Sequence, residues 1–321
     1  MTYKYTPKTE TEYKIYSAIF GLAVADALGV PVEFKSRESL RRDPVRDMRE
    51  YGTHLMPRGC FSDDTSMTLA ALDALSEEGD DEAVMRAFCR WYYSGEYTAT
   101  GEVFDIGGTC AAALERYKSG ISAEGSGLRD AHSNGNGSLM RILPHILKNY
   151  FSGAEDAECR ERIERASSLT HAHEISRLGC LIYSEIISAL LARAERESVM
   201  LGISRAAETL RAFPFIGEYS RIFDKVFREL PEREIKSTGY VVHTLEAAIY
   251  CVLTTNDYSS CVLKAVNLGE DTDTVAAVAG GIAGLLYGFD AIPEEWISTL
   301  LSGELIEEIC KKAARAFSDK G

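Results

Sequence analysis

Glu12-Tyr13-Lys14-Ile15-Tyr16-Ser17-Ala18-Ile19-Phe20-Gly21-Leu22-Ala23-Val24-Ala25-Asp26-Ala27 is the stretch that decides the fold class. Ile15, Ile19, Phe20 and Ala23 recur on one face at the 3.6-residue period of an α-helix. The same period returns over residues 67–75, 83–93, 175–191, 244–253 and 275–286. Ala, Leu, Glu and Arg, all strong helix formers, fill these windows. Alternating β-branched runs of strand length are nearly absent. The expectation is an all-α fold of many moderate helices, forming one domain over residues 1–321, because no linker divides the chain.

Two stretches break the helical pattern. Residues 42–62 contain Pro44, Gly52, Pro57 and Gly59 and read as a long ordered loop, and residues 119–138 are rich in glycine and poor in apolar side chains. Unstructured stretches of that length inside a domain are usually functional.

Charge and cysteine usage narrow the classes further. A formal net charge of −14 excludes bulk electrostatic binding of nucleic acid, which draws on clustered Lys and Arg. An acidic protein binds an anion only with local help from metal ions, helix N-termini or a few placed arginines. The eight cysteines are scattered with no C-x-x-C pair, so no structural zinc site is indicated, and buried free thiols in a reducing compartment are expected. The N-terminus is polar and lacks a signal-peptide core. No run of about 18 uncharged apolar residues suggests a membrane span. A cytoplasmic location with no membrane partner is the expectation.

Two acidic segments each precede an apolar helix: Phe61-Ser62-Asp63-Asp64-Thr65-Ser66-Met67 and Leu268-Gly269-Glu270-Asp271-Thr272-Asp273-Thr274. Helix capping is the plain reading, since Asp, Ser and Thr satisfy first-turn N–H groups and negative charge suits the helix dipole. Capping uses one side chain, or two in a capping box. It does not account for Asp63 beside Asp64, or for Asp271 and Asp273 with threonines interleaved. Hard divalent cations do account for them, because Mg²⁺ and Mn²⁺ take oxygen ligands in near-octahedral array. Two such turns facing each other supply enough carboxylates and hydroxyls for two cations. The two helix N-termini are therefore expected to converge.

With four further motifs, these turns resemble the ADP-ribosylglycohydrolase family, which includes the dinitrogenase-reductase-activating glycohydrolases. In order along residues 15–288 they are Gly21-Leu22-Ala23-Val24-Ala25-Asp26-Ala27-Leu28-Gly29-Val30-Pro31-Val32-Glu33-Phe34, then Phe61-Ser62-Asp63-Asp64-Thr65, then Phe104-Asp105-Ile106-Gly107-Gly108-Thr109. Asn134-Gly135-Asn136-Gly137-Ser138-Leu139-Met140-Arg141, Thr170-His171-Ala172-His173 and Asn267-Leu268-Gly269-Glu270-Asp271-Thr272-Asp273-Thr274 follow. The resemblance implies a compact multi-helix orthogonal bundle with a binuclear Mg²⁺ or Mn²⁺ centre in a central cleft. The implied metal ligands are Ser62, Asp63, Asp64, Asp271, Asp273 and Thr274. Glu33, Asp64 and Asp105 are the implied catalytic carboxylates, with Asp105 linked to arginine-type substrates. Gly107 and Gly108 join Asp105 at the substrate, Asn134, Gly135, Asn136 and Gly137 would hold the pyrophosphate, and His171 would touch the ribose. The implied partners are ADP-ribose and an ADP-ribosylated protein.

The chain departs from the family at several points. Ala25 and Glu270 stand where relatives often have Gly, Ser62 where they often have Thr, and no aromatic residue near Asn134 offers an adenine platform. Each candidate also has a plainer reading. Glu33 can be an exposed loop carboxylate, Asp105 an N-cap, and Asn134–Gly137 an ordinary turn. The alternative for the glycine segment is that it opens a helix and presents bare N–H groups to phosphate. His171 and His173 can be structural histidines, and Cys60 is read as packing. The expected reaction is metal-dependent hydrolysis at ribose C1″, releasing ADP-ribose from a protein side chain, most readily an arginine. Serine-linked or small-molecule ADP-ribose conjugates, a silent ADP-ribose-binding or structural protein, and a binuclear phosphohydrolase are the competing expectations.

Overall fold

A computed structural model describes residues 4–77 and 79–318. Among them are fifteen α-helices and no β-strand, only isolated bridges joining Leu128 to His171 and Gly135 to Tyr240. The helices are α1 (Glu10–Gly29), α2 (Arg37–Arg42), α3 (Asp63–Glu77), α4 (Asp81–Ser94), α5 (Gly108–Lys118), α6 (Ala123–Ser126), α7 (Leu143–Ser152) and α8 (Asp156–Ser168). They continue as α9 (Glu174–Ala192), α10 (Arg196–Thr209), α11 (Val241–Leu253), α12 (Tyr258–Asn267), α13 (Thr272–Tyr287), α14 (Glu294–Thr299) and α15 (Gly303–Ser318). The all-α expectation holds, and every periodic window falls inside a helix.

The centre of the molecule is α1 lying along α13. All residues of α1 from Ile15 to Gly29 are buried, as are all of α13 from Thr272 to Leu286. A helix apolar all round belongs in a core rather than on a surface. Glycines set the close approach of the pair: a Cβ built on Gly284 would lie 1.9 Å from the Ser17 carbonyl oxygen and 3.2 Å from Gly21 Cα. Around this pair pack α3, α15, α9, α11 and α12. Burial on that scale is the main source of stability, at about 25 cal/mol per Å² of apolar surface.

α1 with the short turn after it (Glu10–Val32) and α9 are long and apolar enough to cross a membrane by length and composition alone. Neither is an uncharged run, since Asp26 interrupts the first and Arg177 and Glu185 the second. Their apolar windows are 100% and 72% buried inside the protein, as core helices are.

The loop over residues 42–62 is borne out between α2 and α3. Residues 119–138 contain the single turn of α6, capped by the Ser122 side chain accepting from Gly125 N, so that stretch is not wholly irregular. All eight cysteines are free, six of them buried. Cys60 packs with Val30 and Met56, and burial pushes its thiol up to about 12, which fits the packing role.

Candidate active site

The first acidic turn is organised by a residue the sequence reading quoted but left without a role. Asp26 is the one charged side chain in the buried part of α1. Its carboxylate accepts from Ser62 N at 3.0 and 3.1 Å, from Thr65 N at 3.1 Å and from Thr65 Oγ1 at 2.6 Å. It thus caps α3 from another helix and satisfies N–H groups that a first turn leaves open. Burial raises its pKa to about 6, against these bonds, which favour the charged form. With the capping work done by Asp26, Asp63 and Asp64 are released from it. Asp64 Oδ2 instead accepts from Ser62 Oγ at 3.1 Å and from Thr274 Oγ1 at 3.3 Å. That last bond joins the two acidic turns, so the expected convergence is present in the fold.

The second turn is anchored to the end of α1. Thr272 Oγ1 donates to the Gly29 carbonyl at 2.8 Å, Asp271 N to Ser237 O at 3.0 Å, and Thr274 N to Asp273 Oδ1 at 2.9 Å. Before it, Gly269 and Glu270 both take left-handed backbone, at φ 80° and 65°. Glu270 is held there by Phe34 N donating to its carbonyl at 2.7 Å and by its own N donating to Lys35 O at 2.8 Å. This explains the departure at position 270: the conformation is one glycine adopts freely and glutamate does not. Glu270→Gly is therefore expected to stabilise the protein by about 0.5–1 kcal/mol, read as a higher urea midpoint at unchanged slope.

Glu33 follows α1 and is buried, not the exposed loop carboxylate of the plainer reading. One side-chain atom each from Glu33, His54, Asp105 and Asp273 lie within 4.8 Å of one another. His54 Nε2 bonds Glu33 Oε2 and stands 3.9 Å from Asp105 Oδ1. Sequence reasoning missed His54, which sits in the irregular loop with no periodicity or motif to mark it. Asp105 is not an N-cap: α5 begins after Gly107, which makes no side-chain cap bond, and Asp105 adopts φ 60°.

Burial, then mutual repulsion, governs the electrostatics. Burial and Asp271 raise Glu33 to about 8, and burial and Glu33 raise Asp105 to about 7. Burial and neighbouring carboxylates hold Asp63, Asp64 and Asp273 well above the usual range, and burial raises Asp271. Asp64 Oδ1, Asp271 Oδ1 and Asp273 Oδ2 are buried with no hydrogen-bond partner. Several carboxylates packed this closely, with orphaned oxygens on both turns, are the donor set a hard cation requires.

Part of this cluster opens on a cleft of ≈ 370 Å³, with Asp64 and Asp273 set behind its lining. Glu33, Asp63, Asp105, Asp271 and Thr274 line one part of it. Gly107, Gly108, Gly135, Asn136, Gly137 and His171 line the rest. Cavities of ≈ 490 and ≈ 620 Å³ lie beside α8, but they are lined largely by Arg residues and acids such as Glu161, with none of the converging carboxylates. Size alone does not select a site; convergent polar groups do.

Of its two readings the glycine segment takes the turn. It does not open a helix, since α7 starts only at Leu143. Asn136 instead ties it to the second acidic turn, donating from Nδ2 to Asp271 Oδ2 at 2.8 Å and to Thr244 Oγ1 at 3.0 Å. Besides the two acidic turns, the N-terminus of α5 also reaches the cleft, at Gly107 and Gly108. Asn134 is buried behind the cleft, where its side-chain oxygen accepts from Ser176 Oγ at 3.1 Å. His173 caps α9 by accepting from Ile175 N and is structural. His171 bonds Thr170 through Nδ1 at 2.9 Å, and burial lowers it to about 3, so a neutral ring lines the cleft.

Residues 7–321 match the family model for ADP-ribosylglycohydrolase. The chain is 34% identical over 301 residues to the ADP-ribosylarginine hydrolase Tri1 of Pseudomonas putida, covering 92% of this chain and 76% of that one. It is 29% identical to the ADP-ribosyl-[dinitrogen reductase] glycohydrolase of Rhodospirillum rubrum, covering 88% of each. A solved structure titled ADP-ribosylglycohydrolase-related protein complex superposes with a TM-score of 0.80 at 30% identity, covering 96% of this chain and 99% of the other. The chain belongs to the ADP-ribosylglycohydrolase family.

Proposed function

We propose that the protein hydrolyses the N-glycosidic bond between ribose C1″ and an arginine side chain, releasing ADP-ribose from a modified protein with two divalent cations, Mg²⁺ or Mn²⁺, in the cleft. The observation that carries this reading is the meeting of the two acidic turns around three buried carboxylate oxygens without partners. Ser62, Asp63, Asp64, Asp271, Asp273 and Thr274 would hold the cations. A cation pair held there would supply polarisation of a water and anchoring of ribose hydroxyls.

The remaining chemistry belongs to the protein. Glu33 and Asp105 both line the cleft beside the proposed cation ligands, where a carboxyl can exchange a proton with substrate or water. One donates to the departing guanidine nitrogen while the other accepts from the attacking water. His54, bonded to Glu33, orients that carboxyl. The open first turn of α5 at Gly107 and Gly108 presents N–H groups to the pyrophosphate, with Gly135 and Gly137 across the cleft. The acid pair also suits a cationic guanidinium, and the similarity to an ADP-ribosylarginine hydrolase supports arginine as the linkage.

An arginine-ADP-ribosylated protein incubated with this protein and Mg²⁺ or Mn²⁺ is expected to yield free ADP-ribose and unmodified arginine. Release of AMP or phosphate would make it a phosphohydrolase instead, and binding of ADP-ribose without turnover would make it a silent binder. A faster reaction on serine-linked conjugates would move the linkage.

A further inference from the structure

The exposed apolar side chains of this protein are unevenly placed. Phe34, Tyr51 and Leu55 are 70%, 56% and 75% exposed. Phe34 sits on the segment after α1, and Tyr51 and Leu55 sit on a turn hydrogen-bonded to that segment. Phe34 follows Glu33 and lines the cleft itself. Tyr51 and Leu55 flank Thr53 and His54 in a turn closed by Tyr51 N donating to Met56 O at 2.7 Å. That turn is pinned to the Glu33 segment, with Thr53 N donating to Pro31 O at 3.1 Å and Thr53 Oγ1 to Glu33 O at 2.6 Å. The His54 ring stands 6.0 Å from Phe34, centroid to centroid. Of the eight exposed large apolar side chains among the described residues, Phe34 alone lines the cleft; Tyr51 and Leu55 are tied to its edge through the turn bonded to Pro31 and Glu33.

The backbone holds these three outward at a cost. Phe34, Tyr51 and Leu55 have φ of 62°, 64° and 57°, the left-handed region that bulky side chains avoid. Each such residue costs about 1–2 kcal/mol, and strain of this kind gathers where a surface is held for a task. In water an exposed cluster of one aliphatic and two aromatic side chains gains nothing. It gains only when something apolar covers it.

We propose that Phe34, Tyr51 and Leu55 form a docking rim for the polypeptide that carries the modified residue, and that they select targets with apolar side chains beside that residue. The inference rests on the hydrolase reading above. If ribose is held at the acid cluster beside Glu33, the chain bearing the linkage leaves the cleft past Phe34 and lies across Tyr51 and Leu55. The occupant is therefore the substrate's own polypeptide, continuous with the group in the cleft. Burying two or three such side chains supplies the order of discrimination an apolar contact gives, about 10–200-fold.

The test compares two substrates of one enzyme: an arginine-ADP-ribosylated protein with apolar neighbours at the modified site, and free ADP-ribosyl-arginine. The variant is Tyr51→Asn with Leu55→Asn, because asparagine tolerates left-handed backbone and so adds no strain. On the modified protein the double variant is expected to lose about tenfold in kcat/KM, chiefly through KM, while free ADP-ribosyl-arginine is hydrolysed at the wild-type rate. A modified protein with only Gly and Ser around the arginine should show no loss. Equal loss on both substrates, or no loss on either, overturns the rim. If the wild-type protein hydrolyses neither substrate, the hydrolase reading itself fails, a result distinct from both.

Discussion

Asp273→Asn is expected to lower turnover on arginine-linked ADP-ribose roughly a thousandfold and, in cation-free buffer, to stabilise the folded protein by about 1–3 kcal/mol. The two effects have one cause. Asp273 is wholly buried, its Oδ2 has no partner, and Glu33, Asp105, Asp271 and Asp64 all oppose its charge. Without cations that carboxyl is an uncompensated group, and an amide of the same shape relieves it. With cations it is a ligand, and the amide removes it. Wild-type protein should therefore gain about 2.7 kcal/mol when Mg²⁺ or Mn²⁺ reaches a hundred times its dissociation constant, and Asp273→Asn should gain far less. Urea midpoints with chelator and with each cation separate the two. A variant that is less stable than wild type in chelator, or that still responds fully to cations, would remove Asp273 from the cation set.

Gly284→Ala should cost about 3 kcal/mol or more despite its better helix propensity. The added Cβ would fall 1.9 Å from the Ser17 carbonyl oxygen, which is backbone and cannot swing aside. Overpacking of a tight core costs about 1–3 kcal/mol when side chains absorb it, and here two helices must part instead. Propensity returns at most about 1 kcal/mol. Activity should fall by more than stability predicts, because α1 carries Asp26 and leads into Glu33 while α13 carries Asp273 and Thr274. A shift of about 1 Å between such groups costs about a hundredfold in rate. Gly217→Ala, where a Cβ meets nothing within 4 Å, is the control and should leave both melting and turnover unchanged.

The helices were legible because burial on one face leaves a 3.6-residue period, as over 83–93, and burial all round leaves a long apolar run, as over 275–286. The two acidic turns were legible for another reason: their carboxylates exceed what capping uses. Asp26 carried a signal that was not taken up. A lone Asp within the otherwise uncharged stretch from Ile15 to Val32 must be paid in hydrogen bonds, and its partners proved to be the first turn of α3. His54 carried none, because a loop has no period and the histidine meets Glu33 only through the turn pinned to Pro31. The glycine segment left two readings open, a turn and a helix opening; it is a turn, and its glycine gives close passage beside His171. A Cβ on Gly137 would lie 2.9 Å from His171 Cε1.

The pairing of α1 with α13 also governs how the molecule can be made. The Thr272 to Gly29 bond at its end spans 243 residues. At about 5–20 residues per second, a ribosome needs about 12–50 seconds after completing the first helix to deliver its mate. For that interval an almost wholly apolar helix waits without its principal neighbour, a duty for holding chaperones, and the two acidic turns cannot meet until α13 emerges.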